Sequence, residues 1–201
     1  MKTYPEKLKV FQQNAKVFAK EDFVLPTVDQ VLKIAWLDVW DCFQLFRYAK
    51  QIPDGGVYLE IGSWFGGSML CAFLGTQTSG NSASFIGIDL RIHTELFTNT
   101  KIIPDVRFIK TSSDKAAKRI RNNSANLLFL DGAHHYEQVK RDIKNYWPKL
   151  KIGGNLLGHD YSKDPLHCGV VRAAKEVFGK RLKRLVNSRV FMVQKKTKEL
   201  R

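Results

Sequence analysis

The sequence has few cysteines, and their spacing does not suit a disulfide framework. Three occur among 201 residues, at Cys42, Cys71 and Cys168. Their number is odd, they lie far apart, and no two form the CxxC pair that is typical of zinc knuckles. We therefore expect reduced thiols and neither a disulfide-stabilised secreted domain nor a cysteine-based zinc site.

Long apolar runs are also missing. No stretch approaches the roughly 18 consecutive apolar residues of a membrane-spanning helix, and the first ten residues, MKTYPEKLKV, lack the apolar core of a signal peptide. We therefore expect no membrane span and a cytoplasmic location. A hydrophobic content of 44% with 26% charged residues is typical of a globular protein and argues against disorder.

Acidic residues are scarce relative to basic ones, with 19 Asp and Glu against 33 Lys and Arg and a net charge of +14. Such an excess predicts attraction to anions such as nucleic acid, an acidic sugar or a membrane surface. The basic residues, however, lie in segments typical of solvated helix faces, without the interleaved aromatics of an RNA-binding motif. We favour a solvated basic surface and keep nucleic acid as an alternative partner.

Three familiar nucleotide and hydrolase motifs are absent: Gly-x-Gly-x-x-Gly, the Gly-Lys-Ser/Thr ending of a P-loop, and Gly-x-Ser-x-Gly. In their place, an apolar strand over Val57–Ile61 runs into a glycine turn at Gly62–Gly67, and a helix begins near Ser68. Glycine tolerates positive φ and lets a ligand approach the backbone, while a helix start offers free N–H groups. The turn therefore suits a nucleotide-like ligand, although such turns also serve only to reverse the chain.

An acidic residue further along the chain supports the interpretation that the glycine turn binds a nucleotide-like ligand. Asp89 ends a predicted strand over Ser84–Leu90, 27 residues after Gly62. In nucleotide-binding α/β folds an acidic side chain about 20 residues after the glycine turn binds ribose hydroxyls. The two features together favour an adenosine-type ligand, whereas the motif spacing makes NAD and ATP weaker candidates.

Strands and helices alternate along the rest of the chain. Nearly continuous apolar strands separated by helices predict a doubly wound, mostly parallel sheet with helices on both faces. No internal domain boundary is evident. We expect residues 1–50 to form a helical extension of the same domain, serving as a lid or a dimer surface and including one buried helix over Val28–Lys50. Residues 51–201 form the main domain.

In parallel sheets, ligands bind at the carboxyl ends of the strands. The residues expected at those ends are almost all polar, and they are Glu60 to Ser68, Asp89, Ser112, Ser113, Asp131 to His135, His159 and Asp160. Asp131 follows the most apolar strand, and its carboxylate can bind a divalent metal. His134, three residues on, has the side chain best suited near neutral pH to take a proton from a hydroxyl.

Four segments in order, LEIGSWFGGS, IGIDL, LLFLDGAHHYEQVKRDI and LKIGGNLLGHDY, cover roughly Tyr58–Tyr161. Through them the chain resembles the class I S-adenosylmethionine-dependent methyltransferases, and especially the small O-methyltransferases of the catechol and macrolide-sugar types. The resemblance implies a Rossmann-like seven-stranded sheet whose last strand is antiparallel. It also implies methyl transfer from S-adenosylmethionine to a hydroxyl oxygen, without a covalent enzyme nucleophile.

The resemblance assigns roles to the strand-end residues. It implies that Glu60, Gly62 and Gly66 contact the methionine part of the cofactor, that Asp89 binds the ribose hydroxyls, and that Ser112 or Ser113 contacts the adenine. Three further residues complete the predicted cofactor site: Ser63, Ser68 and Asp131. His134 is the implied catalytic base.

The resemblance also implies a magnesium site at Asp131 with the pair His159 and Asp160. The sequence departs from the family here, because relatives usually carry an acidic residue at the place of His159. Histidine suits manganese, iron or zinc better than magnesium. Three arrangements stay open: Asp131 and Asp160 hold Mg²⁺ with water, His159 completes a site for another metal, or no metal binds and a histidine acts alone.

The sequence thus predicts a small-molecule O-methyltransferase, acting on a sugar or a glycan-linked metabolite, with S-adenosylmethionine and a divalent metal as candidate cofactors. Two alternatives are an RNA methyltransferase, motivated by the charge, and a nucleotide-binding module without turnover. The chain is also a candidate homo-oligomer.

Overall fold

A computed structural model describes residues 2–25 and 27–197. Met1, Pro26 and the end of the predicted main domain, 198–201, lie outside the described residues. The α-helices are α1 (Tyr4–Phe18), α2 (Asp29–Ile34), α3 (Val39–Ala49), α4 (Gly67–Thr78), α5 (Thr94–Thr100), α6 (Ser113–Ala117), α7 (Tyr136–Tyr146) and α8 (Cys168–Phe178). The strands are β1 (Gly56–Ile61), β2 (Ala83–Asp89), β3 (Val106–Lys110), β4 (Ala125–Leu130), β5 (Leu150–Gly158), β6 (Lys183–Arg184) and β7 (Phe191–Gln194).

The strands form one seven-stranded sheet in the order β3-β2-β1-β4-β5-β7-β6. Strands β1 to β5 are parallel, whereas β7 is antiparallel to both β5 and β6. The predicted fold, including the antiparallel last strand, is confirmed. The strand order reverses between β1 and β4, and ligands bind at such switch points in doubly wound sheets.

Alternation along the strands gives the sheet two buried faces. Tyr58 and Phe129 point to the face covered by α1 to α4, and Leu59 and Leu128 point to the face covered by α6, α7 and α8. The N-terminal helices therefore share a hydrophobic core with the sheet. Whether they also act as a lid or a dimer surface stays a prediction.

The predicted single helix over Val28–Lys50 is wrong in one respect, because α2 and α3 are separate. Ala35 leaves the helical conformation, and Asp38 begins α3 with a capping box in which the Asp41 carboxylate accepts the Asp38 N–H at 3.2 Å. A Cβ added to Gly67 would lie 2.4 Å from Ala35 Cα. The residues between α2 and α3 thus pack directly on the start of α4.

None of the helices in the described ranges combines the length and apolar character needed to cross a bilayer.

Candidate active site

Backbone hydrogen bonds align the carboxyl ends of neighbouring strands. The Gly62 N–H donates to the Ile88 carbonyl at 2.8 Å, and the Asp131 N–H donates to the Ile61 carbonyl at 2.8 Å. On the next strand, the His159 N–H donates to the Leu130 carbonyl at 3.0 Å. The register of a parallel sheet therefore places side chains that are far apart in sequence along one edge.

A cleft of about 930 Å³ opens at this edge. Most of the predicted site residues line it, namely Gly62, Ser63, Ser68, Asp89, Ser112, Ser113, Asp131, His134, His159 and Asp160. Glu60 and Gly66 are buried and are not among the lining residues. The volume is within the range of small-molecule sites in proteins.

The glycine turn is shaped by positive backbone angles. Gly62 has φ +89°, Gly66 has φ +81°, and Trp64 adopts φ +43°, which is uncommon for a residue with a side chain. A Cβ on Gly62 would lie 2.2 Å from the Asp131 carbonyl oxygen. Glycine at this position is therefore required both by the conformation and by the approach of the loop after β4.

Asp89 holds this turn in place. One carboxylate oxygen accepts the N–H groups of Ser63 and Trp64 at 3.0 and 2.9 Å, and the other accepts the Arg91 N–H at 3.0 Å. The Ser63 hydroxyl beside it is buried and interacts with the Glu60 carboxyl, whose pKa it helps to lower.

Ser112 and Ser113 lie at the β3 end of the cleft. Ser112 caps α6, with its hydroxyl accepting the Lys115 N–H, and the Ser113 hydroxyl donates to Asp142 at 2.6 Å. Both positions border the cleft on the same side as Asp89. Their predicted contact with the adenine stays a prediction.

Glu60 lies under the glycine turn and is fully buried. Burial raises the pKa of its carboxyl to about 7, although the Tyr58 hydroxyl, which donates to it at 2.7 Å, opposes the shift. The hydroxyls of Ser68 and Ser63 oppose the shift as well. The predicted contact of Glu60 with the cofactor stays a prediction.

On the β4 and β5 side of the cleft, His134 pairs with Asp160. Its Nε2 lies 2.8 Å from the Asp160 Oδ2, and this hydrogen bond raises the pKa of His134 above its ordinary value. Asp160 is itself buried, but its bonds to His134 and His159 hold the pKa of its carboxyl well below the usual range. The pair forms a histidine–aspartate dyad, with His134 partly open to solvent.

His159 is buried among carboxylates. Its Nδ1 lies 3.0 Å from the Asp131 Oδ1 and 3.3 Å from the Asp160 Oδ1, and its Nε2 lies 3.1 Å from the Asp41 Oδ2. Burial lowers the pKa of His159, but these carboxylates outweigh burial and raise it well above its ordinary value.

Sequence reasoning missed four residues of this site. Asp41 of α3 and Arg189 of the β6–β7 turn join it, since the Arg189 N–H donates to Asp41 at 2.7 Å and its Nη1 donates to Asp160 at 3.2 Å. Trp36 and His167 also line the cleft. A carboxylate on the buried face of an aromatic helix was the available signal for Asp41, whereas nothing in the sequence marked Arg189.

A family model described as a methyltransferase domain matches residues 59–161, just over half of the chain. The chain belongs to this methyltransferase family. The predicted resemblance is thereby confirmed. The match ends at Tyr161, so it includes the glycine turn, Asp89, Asp131, His134 and the pair His159 and Asp160.

Among curated proteins, the chain is 30% identical over 118 residues to the uncharacterized protein y4gI of Sinorhizobium fredii. That stretch is 59% of this chain, and it spans only 12% of the relative's length.

Solved structures with the same fold include a protein from Corynebacterium glutamicum, with a TM-score of 0.67 and 17% identity over 94% of this chain and 98% of that one. The O-methyltransferase NovP has a TM-score of 0.64 and 16% identity, covering 80% and 81%. The methyltransferase MycE, solved with Mg and SAH, has a TM-score of 0.55 and 17% identity, covering 86% and 54%. At these identities the likeness concerns the fold.

Proposed function

We propose that this methyltransferase uses S-adenosylmethionine to methylate a hydroxyl oxygen of a small molecule. The observation that carries the proposal is the cleft at the switch point of the sheet. It places the glycine turn and Asp89 on one side and the His134–Asp160 dyad on the other. A donor site and a proton acceptor thus face the same space.

The residues on the donor side fit the proposed cofactor. The backbone of Gly62 and the carboxylate of Asp89 both border the cleft. When bound, S-adenosylmethionine would supply an electrophilic methyl group on its sulfonium. The MycE structure, which has the same fold, was solved with SAH, and this supports the proposal.

On the acceptor side, we assign His134 the task of removing the hydroxyl proton. Its Nε2 is engaged by Asp160, which leaves Nδ1 as the atom that can accept a proton. The Asp160 carboxylate then stabilises the imidazolium and holds the ring in position. Alignment of the reactants and generation of the nucleophile are the main requirements of such a transfer.

We further propose a sugar or a glycan-linked metabolite as the acceptor. Trp36 and Trp64 lie at the cleft with 54% and 39% of their surface exposed and with ring centroids 5.5 Å apart. Flat apolar rings next to charged and hydroxylated groups suit a ring-shaped molecule that has both an apolar face and hydroxyls.

The ligand atoms of Asp131, His159 and Asp160 lie within 4.8 Å of one another. The His159 Nε2 lies 3.1 Å from the Asp41 Oδ2, and an N–H donated there would leave Nδ1 free to bind a metal beside Asp131. These residues would hold a divalent metal, which would supply a Lewis acid beside the acceptor hydroxyl. His134, Asp160 and His167 form a second group with ligand atoms within 4.8 Å of one another, but its His134 and Asp160 are the dyad that handles the proton.

Calorimetry with S-adenosylmethionine tests the donor site. We expect the wild type to bind it, Asp89→Ala to weaken binding at least tenfold, and Glu95→Ala, a change at an exposed helix position outside the cleft, to leave it unchanged. A mass-spectrometric screen of hydroxylated sugars then tests methyl transfer. Absence of binding, or unchanged binding by Asp89→Ala, would refute the proposal, and binding without transfer to any acceptor would favour a non-catalytic module.

The RNA alternative makes a different prediction. Binding to RNA through phosphates weakens steeply as salt rises, with a slope set by the number of contacts. Fluorescence anisotropy with a single-stranded RNA should therefore show weak binding if the net charge of +14 only keeps the surface solvated. Tight RNA binding with a steep salt slope would favour an RNA methyltransferase.

A further inference from the structure

A further histidine of the cleft, His167, has no part in the proposed methyl transfer. It lies at the end of a single 3₁₀ turn, Pro165–His167, that leads into α8. Its ring centroid lies 5.1 Å from that of His134, with the two ring planes at 71° to each other. Its Nε2 lies 3.6 Å from the Asp160 Oδ1. Two imidazoles from different segments therefore converge on one carboxylate.

The distances within this group suit a zinc ion. Zinc binds histidine nitrogen and carboxylate oxygen at about 2.0–2.2 Å, so two ligand atoms at a tetrahedral angle lie roughly 3.4 Å apart. The His134 Nε2 lies 2.8 Å from the Asp160 Oδ2, and the His167 Nε2 lies 3.6 Å from the Asp160 Oδ1. These values lie on either side of the tetrahedral spacing. Small rotations of the side chains would therefore bring the three ligands around one ion.

Neighbouring groups orient the members of the group. The Ser162 hydroxyl lies 3.2 Å from the His167 Nδ1, so Nε2 is the nitrogen of His167 that is directed at Asp160. On the carboxylate, Oδ1 accepts the Arg189 Nη1 at 3.2 Å, whereas Oδ2 faces His134. Hydrogen-bond partners of this kind fix the orientation of metal ligands in proteins.

The donor set and its exposure favour zinc over magnesium. Two imidazoles and one carboxylate are a ligand set of zinc enzymes, in which a fourth position stays open. The side chain of His134 is 46% exposed, against 14% for His167 and 8% for Asp160, so an ion can enter from the cleft on the His134 side. The group of Asp131, His159 and Asp160 has two carboxylates and one imidazole, and carboxylate oxygens suit Mg²⁺ better.

We propose that His134, Asp160 and His167 form a zinc site, oriented by Ser162 and distinct from the metal group that contains Asp131. Zinc there would bind the Nε2 through which Asp160 now orients His134, and it would lie beside the proposed base. Zinc would therefore inhibit methyl transfer. This consequence rests on the proposed function, whereas zinc binding does not.

Isothermal titration calorimetry of the full chain with Zn²⁺, in excess Mg²⁺, tests the site. Wild type should bind one Zn²⁺, His167→Ala should bind it at least tenfold more weakly because one ligand is lost, and Asp131→Asn should bind it as wild type does. Circular dichroism checks that each variant is folded. Absence of Zn²⁺ binding by wild type, unchanged affinity in His167→Ala, or loss of binding in Asp131→Asn would overturn the proposal.

A measurement on wild type alone applies where a variant does not fold. X-ray absorption at the zinc edge, with one equivalent of Zn²⁺ bound, counts the imidazole ligands. We expect two, from His134 and His167. A single imidazole, the number that the group of Asp131, His159 and Asp160 can supply, would overturn the proposal.

Inhibition is measured separately. In an active preparation, one equivalent of Zn²⁺ should inhibit wild type, whereas His167→Ala should keep its own zinc-free rate. Equal inhibition of both would place the inhibiting ion elsewhere and refute this consequence. Because neither binding experiment uses S-adenosylmethionine, failure of cofactor binding would count against the proposed function alone.

Discussion

At the scale of single residues, the buried carboxyl of Glu60 lowers the free energy of unfolding at high pH. Burial raises its pKa from 4.5 to about 7. Between these two values the folded protein keeps a proton that the unfolded chain has released. The free energy of unfolding therefore falls as the pH rises through this window, by about 3 kcal/mol at most.

Replacing Glu60 by Gln should remove this loss. Gln keeps the acceptor for the Tyr58 hydroxyl and carries no charge, so we expect Glu60→Gln to be more stable than wild type at pH 8 and to differ less from it at pH 5. Urea unfolding at both pH values measures the effect. Glu95→Gln, at an exposed position, serves as the control, and an equal loss of stability in wild type and Glu60→Gln would contradict the prediction.

His134 carries the prediction about catalysis. His134→Ala should lower turnover about 10²- to 10⁴-fold, the range for losing a general base, while the affinity for S-adenosylmethionine changes little. Glu95→Ala, at an exposed helix position outside the cleft, provides the control. Single-turnover assays and calorimetry separate the two effects. Turnover equal to wild type would remove His134 from the mechanism.

At the scale of elements, two tight backbone approaches shape the cleft. Gly62 packs against the loop after β4, and Gly67 packs against Ala35 in the break between α2 and α3. The second approach places Trp36 beside Trp64 at the cleft. The glycine turn is therefore joined to the loop after β4 and to the residues between α2 and α3 by backbone contacts that leave no room for a side chain.

Gly62→Ala should destabilise the protein more than its backbone angle alone explains. Gly153 has nearly the same φ, +86° against +89°, but nothing lies within 4 Å of an added Cβ. Gly153→Ala should cost about 1–2 kcal/mol for the conformation. Gly62→Ala should cost roughly 1–3 kcal/mol more because its Cβ meets Asp131. Equal costs in urea unfolding would show that the approach of the two loops is not tight.

At the scale of the whole molecule, the N-terminal helices and the sheet share one hydrophobic cluster. Phe18 of α1 is fully buried against Phe23, Trp40 and Phe43, and the same cluster includes Tyr58 and Phe129 of the sheet. A hydrogen bond between Asp41 and His159 joins the same parts. A lid that unfolds independently would have to break both.

We therefore expect one cooperative unfolding transition, in which a change in α1 destabilises the whole chain. Phe18→Ala should lower the free energy of unfolding by about 3–5 kcal/mol, and the half-exposed Val17→Ala should stay within about 0.5 kcal/mol of wild type. Far-ultraviolet circular dichroism and tryptophan fluorescence should report the same midpoint. Two separated transitions, with only the first moved by Phe18→Ala, would show an independent N-terminal unit.

Local sequence determined the sheet, its helices and most of the cleft. Apolar strands that alternate with helices leave one compatible architecture, and the parallel register then brings Gly62, Asp89 and Asp131 to the same edge. These inferences need only short-range patterns and the geometry of parallel pairing. For the same reason, the break at Ala35 was not predicted: helix propensity favours continuity there, and the contact with Gly67 is a tertiary one.

Only the tertiary structure decided what His159 contacts. In sequence it stands in a candidate metal pair with Asp160, and local residues leave its partner open. The fold brings Asp41 to it across 118 positions and Arg189 to Asp160 from the β6–β7 turn. The protonation of a buried imidazole depends on the charged groups around it, and here those groups come from distant segments. The sequence therefore determined that this histidine is present, whereas the packing of α3 decided that it contacts Asp41.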